Sequence, residues 1–168
     1  MKIHELFLGQ LEREAPATRR TLERVPDGRP DWKPHEKSMP LGYLATLVAQ
    51  LPGWAAMVIK GDHLDLNPPG GGPPKKEFHT SGELVAELDR GVAESREALA
   101  NTNDEHLMKT WRLLVAGKVV SEDPRHVVLS DAVFCHLAHH RAQLGVYLRL
   151  SGAPVPGVYG PSADDPRF

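Results

Sequence analysis

The sequence predicts an all-α protein, a four-helix bundle with one long crossover and an extended C-terminal tail. Three observations carry that reading. Four segments repeat apolar residues at helical spacing, no segment alternates in the manner of a half-buried strand, and Gly and Pro concentrate between and after the helical stretches. At 168 residues the chain has the length of one domain, taken as 1–168 with residues 153–168 as the extended tail.

In the first segment Ile3, Phe7, Leu11, Ala15 and Leu22 recur three, four or seven residues apart, opposite Glu12, Arg13, Arg19 and Arg20, and Pro26-Asp27-Gly28 ends it. The stretch through Pro30, Trp32 and Pro34 reads as an extended connection, because proline rejects helix and biases the residue before it away from helix. The second helix is expected to open at Ser38 as N-cap, with Pro40 in its first turn. Leu41, Leu44, Leu47, Val48, Leu51, Trp54, Ala55 and Val58 make it apolar around most of its circumference, so it is the predicted centre of the core, with an interruption at Pro52.

Residues 67–74, Asn-Pro-Pro-Gly-Gly-Gly-Pro-Pro, read as a mobile surface loop, and Lys75-Lys76 as a small charged turn. Thr80-Ser81-Gly82-Glu83 is a capping-box pattern that opens a third helix with Val85, Leu88, Val92 and Leu99 on one face. Between His106 and Ser121, Trp111, Leu113-Leu114-Val115, Gly117 and Val119-Val120 fit either a short hairpin or an irregular crossover. The last helix is expected to start between Pro124 and Asp131 and to run to Ser151, with Gly152 just past its end.

The formal net charge of −2 removes the basic excess on which nucleic-acid or anionic-membrane binding rests. One cysteine excludes an internal disulfide and any zinc module built on several thiolates. The most apolar stretch, 41–59, is broken by Thr46, Gln50, Pro52 and Gly53, and Glu5, Glu12 and Glu14 occupy the place of a signal-peptide core. The expected location is the cytoplasm, with neither nucleic acid nor membrane as partner.

The informative segment is Phe134-Cys135-His136-Leu137-Ala138-His139-His140-Arg141. Residues four apart lie over one another on a helix, so His136 and His140 share a direction, and their row continues through Ala132, Leu144 and Leu148 toward the interior. Two inward imidazoles at this spacing make half of a Zn, Ni or Fe site. The same spacing serves two partly buried neutral histidines bonded to each other or to a facing helix. Cys135, among Val133, Phe134 and Leu137, reads as packing.

The run His136-x3-His140-Arg141-Ala142-Gln143-Leu144, followed by Tyr147-Leu148-Arg149, Gly152 and Pro154-Val155-Pro156 to Tyr159-Gly160-Pro161-Ser162, closely resembles the last helix and tail of DinB-like proteins. Trp32-Lys33-Pro34, Lys37-Ser38-Met39 and Leu44-Ala45 resemble that family's entry to its second helix, and Trp111 with Gly117 its crossover. The resemblance implies a DinB/YfiT-like four-helix fold, often dimeric. The family includes thiol-dependent S-transferases and a maleylpyruvate isomerase, and its members hold a divalent metal through one histidine on the second helix and an H-x3-H pair on the last. That pair maps onto His136 and His140. Where the family reads Leu-Ala-x-His, this chain reads Leu44-Ala45-Thr46-Leu47, and leucine has no lone pair to offer.

Two functional readings result. In the leading one the metal site is degenerate, no metal (Zn or Ni) is tightly bound, and the protein is a small-molecule-binding or homodimeric family member. In the alternative it is a divalent-metal-dependent thiol S-transferase or hydrolase acting on an unknown small molecule. Either way the expected pocket lies between the second and last helices, bordered by His136, His140, Leu47, Trp54, Arg141 and Tyr147. Arg141 is read as a partner for an acidic residue such as Glu5 or Glu12, and Tyr147 as a core residue with its hydroxyl at a polar edge.

Overall fold

In the computed structural model, which describes residues 1–72 and 76–166, the N-terminal helix α1 spans Ile3–Leu22. The Glu5 carboxylate accepts the Lys2 N–H at 2.9 Å and so secures its first turn. Phe7, Leu11, Ala17 and Leu22 are buried, and the Phe7 ring stacks on Phe134 with centroids 5.7 Å apart.

Helix α2, Leu41–Gln50, is capped at Pro40 and so starts two residues later than the Ser38 cap predicted. The reason lies in the extended connector: the N–H groups of Leu41 and Gly42 donate to the carbonyls of Trp32 (2.8 Å) and Pro30 (2.9 Å). A hydroxyl cap is therefore redundant. At Pro52 the chain tightens into a 3-10 turn, Leu51–Gly53, then continues as α3, Trp54–Lys60. The Ser95 hydroxyl repairs this break, donating to the Pro52 carbonyl at 2.7 Å and accepting the Ala56 N–H at 3.1 Å. By length and composition the run Leu41–Lys60 is apolar enough to cross a bilayer, but most of it is buried inside the fold. It is the centre of the core, as its all-round apolarity predicts.

Helix α4, Ser81–Ala100, opens with the predicted capping box: Thr80 Oγ1 accepts the Glu83 N–H at 3.2 Å, and the Glu83 carboxylate accepts the Thr80 N–H at 3.1 Å. It packs against α1, α2 and α3. Where the 3-10 turn crosses it, Gly53 and Gly91 meet so closely that a Cβ on Gly91 would stand 3.0 Å from the Gly53 Cα.

The all-α expectation is overturned here. Strand β1, His63–Asp65, pairs in parallel with β2, Thr110–Val115, which pairs antiparallel with β3, Lys118–Pro124, to give a three-stranded mixed sheet in the order β1-β2-β3. A one-turn helix α5, Asp104–Leu107, precedes β2. Of the two alternatives for 106–121 the hairpin is realised. Parallel β1 left no sequence signal because three residues, none fully buried, hold no periodicity. Asp65 links it to the hairpin, its carboxylate accepting the N–H groups of Ala116 (3.0 Å) and Gly117 (2.7 Å) at the β2–β3 turn.

Arg125, fully buried, ties the sheet to the helices. Its guanidinium donates to the carbonyls of Val58 (3.1 Å), Thr110 (2.8 Å) and Gly61 (3.0 Å) and pairs with Asp62. It starts the final helical run, made of α6 (Arg125–Val128), a π-helical stretch (Leu129–Cys135) and α7 (His136–Leu150). Gly152 follows with φ of 82°, the left-handed position that ends a helix. The tail beyond it is extended, with Pro156, Gly157 and Asp165 buried. The predicted loop residues Pro73 and Pro74, Lys75 of the charged turn and the last two residues of the tail lie outside the described residues.

Candidate functional site

His136 and His140 stand one turn apart at the start of α7, just after the π-helical stretch. In the wide turn the His136 N–H reaches the carbonyl of Asp131. The carbonyl of Ala132, which an α-helix would give to that N–H, instead lies 3.3 Å from His136 Nδ1. The two imidazoles meet Nε2 to Nε2 at 2.8 Å. His140 Nδ1 lies 2.8 Å from Gln143 Oε1, and Gln143 Nε2 lies 3.1 Å from His139 Nε2.

The contacts limit where the protons can sit. The short contact at Gln143 Oε1, an acceptor, places a hydrogen on His140 Nδ1. With that hydrogen in place His140 Nε2 is an acceptor, and the 2.8 Å contact is a hydrogen bond when His136 carries its own hydrogen on Nε2. The Gln143 amide donates onward to His139. Four side chains thus form one polarised chain, from nearly buried His140 to exposed His139. Burial pushes the His140 pKa below the ordinary imidazole value, and the neighbouring His136 and His139 add to the effect against the opposing Gln143 bond.

Around this pair, Trp54 from α3 is half-buried with its ring 5.7 Å from that of His136, edge toward face. Leu47 is half-buried on α2, a helix packed against α7. Tyr147 sits in the core, its hydroxyl donating to the Met39 carbonyl at 3.1 Å and its ring edge-on to Trp32.

Arg141 turns the other way. It is buried against α1, donating to Glu14 Oε2 at 2.6 Å, to Thr18 Oγ1 at 2.9 Å and to the Tyr159 hydroxyl at 2.6 Å, while that hydroxyl donates to the Glu14 carboxylate at 3.0 Å. Its partner is Glu14, not Glu5 or Glu12. Glu12 is taken by Arg96 on α4, and a buried glutamate mid-helix shows no apolar signal in sequence. Cys135, expected as packing, is exposed.

As a cation site the pair offers two convergent nitrogens. Among the described residues no group of three or more His, Cys, Asp or Glu side chains is placed to hold a metal ion. At 2.8 Å the two nitrogens match the spacing of ligands about 90° apart at roughly 2.0 Å from one ion, and fall short of the roughly 3.3 Å of a tetrahedral pair. The pair by itself supplies two ligands.

Two clefts open elsewhere. One of about 450 Å³ lies between the ends of α3 and α4 and α5, lined by Lys60, Glu97, Asn101, His106 and Lys109. Another, about 370 Å³, runs between the outer face of α7 and the tail. Neither is lined by His136, His140, Leu47 or Trp54.

Comparison with known proteins gives a consistent result. A family model, the DinB family, matches residues 73–167. Among solved structures, a DinB-like protein from Bacillus subtilis superposes with a TM-score of 0.67 at 18% identity, over 96% of this chain and 99% of that one. A DinB-like protein from Bacillus cereus gives 0.68 at 21% identity, over 92% and 97%. At these identities the structural likeness speaks to the fold alone. No curated protein matches.

Proposed function

The chain belongs to the DinB family, and from that premise we propose that it is a small-molecule-binding member whose metal centre is reduced to the His136–His140 pair, without a tightly held ion. The observation that carries this reading is the direct Nε2–Nε2 contact at 2.8 Å, with leucine at position 47 where the resemblance calls for the third histidine. The ligand suited to the site is small and weakly acidic, a thiol or a carboxylic acid. Its proton can pass to His140, which burial favours in the neutral form, and its apolar part can lie on Trp54. The single cysteine suits a reducing, cytoplasmic setting.

One observation favours a second reading, a divalent-metal-dependent S-transferase or hydrolase. Both Nδ1 atoms have an oxygen within reach, Ala132 O and Gln143 Oε1. A change of tautomer at His136 would therefore free both Nε2 lone pairs and leave both Nδ1–H groups bonded, an outer-shell arrangement common to metal-binding histidines.

Elemental analysis and Zn²⁺ and Ni²⁺ calorimetry on untagged protein separate the two. The expected result is less than roughly a tenth of an equivalent of metal, unchanged in a His136→Ala/His140→Ala variant. Stoichiometric metal that this variant loses overturns the leading reading. Ligand binding is checked through the imidazole ¹⁵N signals on titration with small thiols and carboxylates. Movement of the His136 and His140 signals is expected, and none at millimolar ligand counts against the site.

A further inference from the structure

The groove of about 370 Å³ between α7 and the tail falls within the size range of small-molecule sites. Its floor is formed by Ala138, Ala142 and Gly145, three and four residues apart and so in one row on α7. Val155, Pro156 and Val158 of the tail form the opposite wall. That wall is fastened in place. The Val155 N–H donates to Asp164 at 2.8 Å, Ser162 Oγ donates to the Val155 carbonyl at 2.5 Å, and Arg20 of α1 donates to the Gly157 carbonyl at 3.2 Å. At Gly145 an added Cβ would stand 3.7 Å from Val155 Cγ1, so the tail lies close on the helix there. His140 lies about 160° round the helix from Ala142, so nothing here rests on the function proposed above.

The lining is mostly apolar, and the charged groups in it are of one sign. Arg141 and Arg149 line the groove and no carboxylate does. Glu14 and Asp164, which they hold at 2.6 Å each, are not part of the lining. Arg149 is half-exposed and meets Asp164 through Nη2, so its other donors are left for a second acceptor. Arg24 adds a further positive charge near Asp164, which offsets the repulsion a second carboxylate would feel there. Arg141 is only 3% exposed. Its two terminal nitrogens are spent on α1 and Tyr159, and its Nε–H has no acceptor among the described residues. Apolar walls, unspent guanidinium donors and no lining acid together suit an anion with an apolar body, and the planar fork of arginine matches a carboxylate. We infer that this groove is a ligand site separate from the histidine pair and that it takes a small carboxylic acid in its ionised form. The carboxylate sits on the free donors of Arg149. The apolar body runs along Ala142 and Val146, against Val155 and Val158, with Arg141 at the inner end.

Titration of the ¹⁵N-labelled full chain with octanoate tests this, read from backbone amide and imidazole signals. Saturable shifts are expected at Gly145, Val146, Val155 and Val158 at millimolar octanoate, with the His136 and His140 imidazoles unmoved. Octan-1-ol, which lacks the charge, and acetate, which lacks the apolar body, should each bind at least about tenfold more weakly. Arg149→Gln should weaken octanoate about tenfold. Ala142→Trp, which fills the groove from an exposed position, should abolish the shifts. No shift at these amides, shifts confined to the imidazoles, equal binding of octan-1-ol, or an affinity indifferent to Arg149→Gln overturns the inference. If Arg149→Gln displaces the Val155 and Val158 signals of the free protein, the tail has moved and Ala142→Trp decides alone, with binding as tight as in the wild type overturning the inference.

Discussion

The guanidinium of Arg141 and the carboxylate of Glu14 meet at 2.6 Å with 2% and 11% of their side chains exposed, and the Tyr159 hydroxyl is bonded to both. This triangle holds α1, α7 and the C-terminal tail together, so the residue that follows His140 has a structural task.

Removing one member of a buried ion pair leaves the other uncompensated. Arg141→Met and Glu14→Gln are each expected to cost about 3–5 kcal/mol, and Tyr159→Phe about 1 kcal/mol. Urea unfolding checks the order. A smaller loss for Arg141→Met than for Tyr159→Phe would show that the tail, not the ion pair, carries the junction.

The depressed pKa of His140 makes stability depend on pH. The unfolded chain takes up a proton near the ordinary imidazole value of 6.5, while the folded chain resists until lower pH. This contribution is therefore complete above about pH 6.5 and is lost as pH falls through that value toward the folded pKa. Unfolding measured in chelator at pH 8 and pH 5.5 should show a larger drop for the wild type than for His140→Gln. Equal drops would place the titration elsewhere.

The crossing at Gly53 and Gly91 leaves no room for a side chain. Gly91→Ala is expected to destabilise by about 1–3 kcal/mol despite the better helix propensity of alanine. Ser95→Ala, which orphans the Pro52 carbonyl and the Ala56 N–H, should cost about 1–3 kcal/mol. A neutral Gly91→Ala would mean that the 3-10 turn can draw back.

Ala116 adopts φ of 51°, a left-handed conformation costly for a residue with a Cβ. Ala116→Gly is expected to gain up to about 1 kcal/mol, read as a raised Tm. A loss would show that unfolded-state entropy outweighs the relieved strain.

Much of the helical framework was legible in the sequence because its signals are local. The Thr80–Glu83 box, Gly152 at the end of α7, the Pro52 break and the shared direction of His136 and His140 each depend on residues within a turn or two. The sheet was not legible, since β1 is three residues long and finds β2 across more than forty. Nor were the partners of the buried charges: Arg125 satisfies itself on carbonyls at the end of α3 and the start of β2, and Glu14 is assigned to Arg141 only by how α1 packs on α7. Of the candidate site, the histidine pair was legible, while its bond through Gln143 to His139 and the turn of Arg141 toward α1 required the fold.

The π-helical stretch from Leu129 to Cys135 carries one more residue per hydrogen-bonded ring than the α-helix on either side. It works as a phase shifter for the last helical run. Everything before it, including Arg125 in its cage of carbonyls, is timed to one rotational frame, and His136 and Arg141 to another. Shortening the stretch by a residue would yield a straighter, locally more regular helix in which the anchor and the histidines could no longer both face their partners. The irregularity lets a single continuous rod meet two surfaces that ordinary helical pitch would leave out of step.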